Sequence, residues 1–209
     1  MTWQSQAGQD QFVHFLVGKD PLQSKSFLDI GANHPVTHNN TSALAALDWK
    51  GICIDLEDFD SLYPIHRPRC EFRRADAMTI DWSQLIKERP WLSTGPISYL
   101  SFDIDEATLP ALQRFPISEI RCKVITIEHD CYRLGNEPKD GIRKILREAG
   151  YQLLCADVRV LWQGGWQPFE DWWIDPKLVN IERANWVRSQ SANWVDIVRK
   201  LRMWPTHLA

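Results

Sequence analysis

The run Phe27-Leu28-Asp29-Ile30-Gly31-Ala32-Asn33 constrains this chain more than any other segment. Apolar residues around one acid, closed by a glycine, read as a buried strand opening into a tight turn. Beyond it, Gly51-Ile52-Cys53-Ile54-Asp55 repeats the pattern and again ends on a carboxylate. Between them, Thr41 to Trp49 carries an apolar stripe of Leu44, Ala45 and Leu47, with Asn40 or Thr41 as N-cap and Gly51 shortly past its end. Strand, crossover helix, strand is the unit of an open α/β sheet, in which ligands bind beyond the carboxyl ends of the strands. Asp29 and Asp55 are therefore expected to face one crevice.

The pattern continues. Further strands are expected at about 70–74, 97–103, 122–128, 151–156 and 158–162, and further helices near 57–65, 82–88, 106–114, 138–149 and 184–203. This alternation predicts a doubly wound, mostly parallel α/β sheet of about seven strands. The last two strands meet near Asp157, too close for a crossover, and so predict an antiparallel carboxyl-terminal hairpin. A chain of 209 residues can bury its core as a single domain, 1–209. Seven of the 11 tryptophans lie from Trp162 onward, which marks 162–209 as a tryptophan-rich loop and helix appended to that domain.

Charge and composition exclude several classes. Lys and Arg number 24 against 27 Asp and Glu, so no basic field favours nucleic acid. The first residues, Met1-Thr2-Trp3-Gln4-Ser5-Gln6, have neither a basic region nor an apolar core, and no membrane-spanning run follows. The expectation is a soluble, cytoplasmic protein with neither nucleic-acid nor membrane partners. Its 5 cysteines show no CxxC or zinc spacing and suit reduced thiols.

A dinucleotide needs G-x-G-x-x-G, because the pyrophosphate must approach bare backbone. Here one glycine is followed by Ala32, Asn33, His34 and Pro35, and Pro35 removes a donor, which opposes a nucleotide-dependent oxidoreductase. No Gly-Lys-Ser/Thr follows a strand either. An adenosine-type ligand without phosphates remains, and S-adenosylmethionine fits. Asp29 and the Gly31 turn would take its methionyl group, Asp55 both ribose hydroxyls, and Asp76 with the N–H of Ala77 the adenine edge. Asp55 and Asp76 would otherwise serve as a helix cap and a turn residue.

At this point the chain resembles the FkbM family of S-adenosylmethionine-dependent methyltransferases, a branch of the class I, Rossmann-like methyltransferases. The resemblance rests on Ser5-Gln6-Ala7-Gly8-Gln9-Asp10, on Phe27 to Pro35 with Asn40-Thr41, on Gly51 to Asp55, and on Tyr99-Leu100-Ser101-Phe102-Asp103-Ile104-Asp105, and covers about residues 5 to 130. Two departures stand out: Asp105-Glu106 where such proteins commonly carry Glu-Gly, and Asp55-Leu56 where many have an acid followed by proline. The resemblance implies O-methylation of a hydroxyl on a sugar or a natural-product-like small molecule. It adds Gln6, Ala32, Asn33, Asn40 and Asp103 to the cofactor-binding set.

Two acid-rich strand ends, Asp103/Asp105 and Glu128-His129-Asp130, should lie side by side. A hydroxyl acceptor must lose its proton as the methyl group moves, so a base or a metal is needed. His129 is the expected base, with Asp103 or Glu128 orienting its other ring nitrogen. Asp103, Asp105, Glu128 and His129 also offer ligands that suit magnesium or manganese. At the tryptophan-rich end, Glu170 and Trp172 are expected to touch the acceptor, with His34, and also His38, reaching from the cofactor turn. An exposed remainder of that end would serve as a homodimer surface. The alternative is a non-catalytic glycan-binding or scaffolding protein on a degenerate methyltransferase fold.

Overall fold

The computed structural model describes residues 2–18 and 25–205. Residues 206–209 of the expected carboxyl-terminal appendage lie outside them. Eight strands form one sheet: β1 (Ser26–Ile30), β2 (Lys50–Asp55), β3 (Cys70–Arg74), β4 (Ile97–Phe102), β5 (Cys122–Glu128), β6 (Gln152–Trp162), β7 (Gly165–Ile174) and β8 (Ser189–Gln190). Their order across the sheet is β3-β2-β1-β4-β5-β7-β6-β8. β1 to β5 run parallel, β7 runs antiparallel to both β5 and β6, and β8 pairs parallel with β6. The order reverses between β1 and β4, which opens a crevice at their carboxyl ends.

Both faces of the sheet are covered, so its central strands are apolar throughout. Alternation sends Phe27, Cys53, Tyr99, Val124 and Trp172 into one core and Leu28, Ile52, Leu100, Ile125 and Trp173 into the other. The first core is closed by the helices Gln9–Val13, Ser42–Ala45, Ile181–Val187 and Trp194–Arg202, the second by Trp82–Glu88, Thr108–Leu112 and Asn136–Glu148. No helix among the described residues is long and apolar enough to cross a membrane.

The carboxyl-terminal third departs from the sequence expectation. Residues 151–156 and 158–162 are not two paired strands but one, β6, interrupted by a bulge at Asp157, whose φ is 52°. The Asp157 N–H leaves the ladder and donates to Asp171 Oδ1 at 2.8 Å. The hairpin partner is β7, so most of the expected tryptophan-rich loop is a sheet strand with Trp172 and Trp173 fully buried. The helix expected at 184–203 is two helices, broken where β8 joins the sheet.

One buried polar network fixes the loop that follows β1. Thr41 Oγ1 donates to Asp29 Oδ2 at 2.6 Å and accepts from Arg67 Nη2 at 2.6 Å. Arg67 Nη1 also donates to Asn39 Oδ1 at 3.0 Å, and Asn39 Nδ2 donates to the Ala32 carbonyl at 2.6 Å. Arg67 is 3 % exposed and lies 5.3 Å from the centroids of both the Phe27 and Tyr63 rings. Burial pushes the Asp29 carboxyl up, and the Arg67 charge with the Thr41 hydrogen bond opposes that push. Removing one partner of such a pair leaves a buried charge uncompensated. Arg67→Met, which keeps the apolar stem, is expected to lower unfolding free energy by about 3–5 kcal/mol in urea denaturation; a loss within about 0.5 kcal/mol, the range of ordinary surface substitutions, would show that the network carries no pairing energy.

Candidate active site

An open cleft of about 290 Å³ lies across the carboxyl ends of β1, β2, β3 and β4. Gly31 forms its floor at φ 83°, and a Cβ there would sit 1.7 Å from the Asp103 carbonyl oxygen, so only glycine lets the turn pass this close to β4. Asp55, Asp76, Ala77 and Asp103 line the cleft with Asn33. Asp55 Oδ2 accepts the Asn33 N–H at 2.6 Å and Oδ1 the Glu57 N–H at 2.9 Å. Both oxygens thus keep a lone pair for a ligand. Asp76 Oδ1 accepts the Met78 N–H at 2.8 Å, fixing the turn after β3.

A second cavity, of about 300 Å³, adjoins the first and shares Gly31, Asn33, Asp103 and Asp105 with it. Gln6, His38 and Glu128 line it, together with Tyr132, Arg133 and Trp162. Here the acids are crowded. Burial, and then the Asp103 charge, push the Glu128 carboxyl far above its ordinary range, so Glu128 keeps its proton; burial raises Asp103 as well, and a hydrogen bond from Glu128 opposes that rise. Glu128 Oε2 in turn accepts the Asp105 N–H at 3.0 Å. Arg133 Nη1 stands 2.9 Å from Asp105 Oδ1 and 2.7 Å from Asp130 Oδ2, bridging the two strand ends. Asp105 and Asp130 both adopt left-handed backbone, at φ 51° and 45°.

Several expected site residues are placed elsewhere. Asp29 is 1 % exposed and committed to Thr41, so it is a structural acid beneath the turn rather than a partner for a methionyl ammonium. The N–H groups of Gly31 and Ala32 both donate to the Ile54 carbonyl, at 2.9 and 3.1 Å, and are spent within the sheet. Asn40 is buried and donates to Ser101 Oγ at 3.1 Å. His34 Nδ1 accepts from its own loop, at Val36 N and Thr37 N, and its ring packs against Phe59, so it lines neither cavity. Glu170 and Trp172 are interior residues of β7; Trp172 packs on Phe12 with ring centroids 4.4 Å apart.

The largest correction concerns His129. It follows Glu128 directly, and alternation that aims Glu128 into the cavity turns His129 away. Its side chain is fully buried, with Nε2 3.6 Å from Asp171 Oδ1 and 3.7 Å from Asp157 Oδ1. Arg143 holds Asp171 with two hydrogen bonds, at 2.7 and 2.8 Å. His129 is therefore neither the base nor a ligand in an Asp103, Asp105, Glu128, His129 metal set. Among the described residues, ligand atoms of Asp105, Glu128 and Asp130 do converge, but Arg133 already supplies a cation to two of them. This donor set does not fit a divalent ion.

Arg133, Tyr132 and Leu56 line the cavities, although none of them was expected from the sequence as a site residue. Tyr132 and Arg133 sit just beyond the acidic end of β5, a position that would have marked them. Leu56, 64 % exposed directly after Asp55, is a large apolar side chain in the open cleft.

The fold is similar to that of several solved structures. These include the magnesium protoporphyrin IX methyltransferase of Synechocystis PCC 6803 with bound S-adenosylmethionine, at 12% identity over 81% of this chain and 78% of that one, with a TM-score of 0.52. The Burkholderia thailandensis 1,6-didemethyltoxoflavin-N1-methyltransferase, with bound 1,6-didemethyltoxoflavin and S-adenosylhomocysteine, matches at 15% identity over 79% and 76%, TM-score 0.50. A provisionally assigned O-methyltransferase of Klebsiella pneumoniae matches at 18% identity over 81% and 80%, TM-score 0.51. No protein-family model matches the chain, and no curated protein matches its sequence. At these identities the likeness establishes the class I, Rossmann-like methyltransferase fold.

Two buried groups behind the cavity make stability depend on pH. Burial alone would lower the His129 pKa, but Asp171 and Cys131 raise it to about 9, and burial raises Glu170 to about 8. Each is raised above its unfolded value, so each contribution is complete below that value and is lost as pH climbs through the folded one. Thermal unfolding midpoints are expected to fall from pH 6.5 to 9, and Glu170→Gln to flatten the part below about 8. Parallel profiles for variant and wild type would contradict a neutral Glu170 at pH 7.

Proposed function

We propose that this chain is an S-adenosylmethionine-dependent methyltransferase acting on a hydroxyl oxygen of a small molecule. The observation that carries the reading is the sequence of groups along the cleft and the cavity that adjoins it: Gln6 and Asp103 at one end, Asp55 in the middle, and Asp76 with Ala77 at the other. That order matches an amino-acid tail, a ribose and a purine. Because the Gly31 and Ala32 N–H groups are spent on Ile54, the turn has no phosphate cradle to offer. The solved structures of similar fold that hold S-adenosylmethionine or S-adenosylhomocysteine, and the resemblance of the Phe27–Pro35 segment to the FkbM family, support the same choice.

The ligand, when bound, supplies an electrophilic methyl group on a sulfonium. Asp103, which lines both cavities, would hold the ammonium of the tail, while the Gln6 amide would donate to its carboxylate. The Asp55 lone pairs left free by Asn33 and Glu57 would accept the two ribose hydroxyls. Leu56 and Ala77 offer apolar contact to the purine. The acceptor proton falls to Asp105, whose side chain is exposed, lines both cavities and lies 2.9 Å from Arg133 Nη1. No step passes through a metal or through His129.

Calorimetric titration with S-adenosylhomocysteine is expected to give saturable binding, and absence of heat at high micromolar ligand would overturn the reading. Asp55→Ala is expected to weaken that binding by about tenfold or more, equivalent to ~1.4 kcal/mol; unchanged affinity would show that the ribose role belongs elsewhere.

A further inference from the structure

We propose that the acceptor subsite is the wall made by Trp162, Tyr132 and Arg133 beside Asp105, and that it takes an uncharged ring carrying hydroxyl groups. The proposal rests on the cofactor reading above and names the substrate class of that same site. Trp162 ends β6 and pairs with Gly165 at the start of β7, which leaves Gln163 and Gly164 as the whole turn. Both have positive φ, 48° and 80°, the signature of the tight hairpin turn whose twist matches its strands. The indole is therefore carried on a short, rigid hairpin tip, and it is still 46 % exposed. A large apolar face left in a polar cavity marks a place for a ligand face.

The cavity against that face has about 420 Å³ and is lined by Tyr132, Arg133, Trp162, Gln163 and Gln167. It shares its first three residues with the smaller cavity that contains Asp103, Asp105 and Glu128, so the path from Trp162 to the cofactor cleft is continuous. Charge sets the ligand class. The single guanidinium of Arg133 is divided between two carboxylates, Asp105 and Asp130, at 2.9 and 2.7 Å. A carboxylate or phosphate on the acceptor would meet that excess of negative charge at close range. The Gln163 and Gln167 amides donate and accept hydrogen bonds without adding charge, which suits hydroxyl groups. Asp105, which lines both the smaller cavity and the cofactor cleft, is where the reacting hydroxyl would come to rest. A neutral sugar and a neutral phenol share this chemistry.

The test uses the full chain saturated with S-adenosylhomocysteine and three probes at millimolar concentration: methyl glucoside, catechol and glucuronate. Saturation-transfer NMR is expected to show binding of at least one neutral probe and none of glucuronate, and the responding neutral probe distinguishes a sugar from an aromatic source. Trp162→Ala is expected to weaken that binding by about tenfold, with Trp166→Ala on the same hairpin as the unchanged control. Silence from both neutral probes, equal response from glucuronate, or indifference to Trp162→Ala would overturn the subsite. S-adenosylhomocysteine affinity is measured on the same samples. Failure of wild type to bind it sinks the cofactor reading, whereas binding without any ring response sinks the subsite alone.

Discussion

The site depends on one buried ion pair mediated by a hydroxyl. Asp29 lies inside the sheet and Arg67 inside the loop layer above it, and Thr41 Oγ1 stands between them, donating to one and accepting from the other. Neither charge is tolerable there alone. Satisfying both pulls the 39–41 segment down onto the end of β1, and Asn39, held by the same guanidinium, clamps the Ala32 carbonyl. With the far side of the turn fixed in this way, Gly31 is pressed against the Asp103 carbonyl and Asn33 reaches Asp55. The cleft is a consequence of where that pair is buried.

The second constraint is alternation at the end of β5. Consecutive residues Glu128 and His129 serve two different environments. Glu128 enters the acid-rich cavity, where burial, and then the charge of Asp103, keep it protonated. His129 enters a separate cluster, where Arg143 and the imidazole together hold Asp171 down to about 2, against the effect of burial. The bulge at Asp157 completes that cluster by delivering its N–H to Asp171. A strand end can thus look catalytic over three successive residues while only one of them lines the site.

Much of the fold was legible because parallel strands covered on both faces are written as continuous apolar runs: β1 to β5 stand where those runs predict them. Asp55, Asp76 and Asp103 were legible in the same way, since acids at the ends of such strands have one direction to face. What the sequence concealed was pairing. Asp29 reads as a ligand acid until Arg67, remote in sequence, is seen joined to it through Thr41. The Trp162-to-Trp173 segment reads as a loop because Gly164, Gly165 and Pro168 punctuate it, yet β7 is inserted between β5 and β6, where Trp172 and Trp173 become core. His129 was misplaced because composition alone does not say which face a strand residue takes.

The position of S-adenosylhomocysteine in a crystal of the complex tests this account most directly. The account requires the ribose hydroxyls on Asp55, the purine between Leu56 and Ala77, and the amino-acid tail at Asp103 and Gln6, with Asp29 and His129 out of contact. A ligand bound outside this cleft, or a sulfur atom placed against His129, would contradict it.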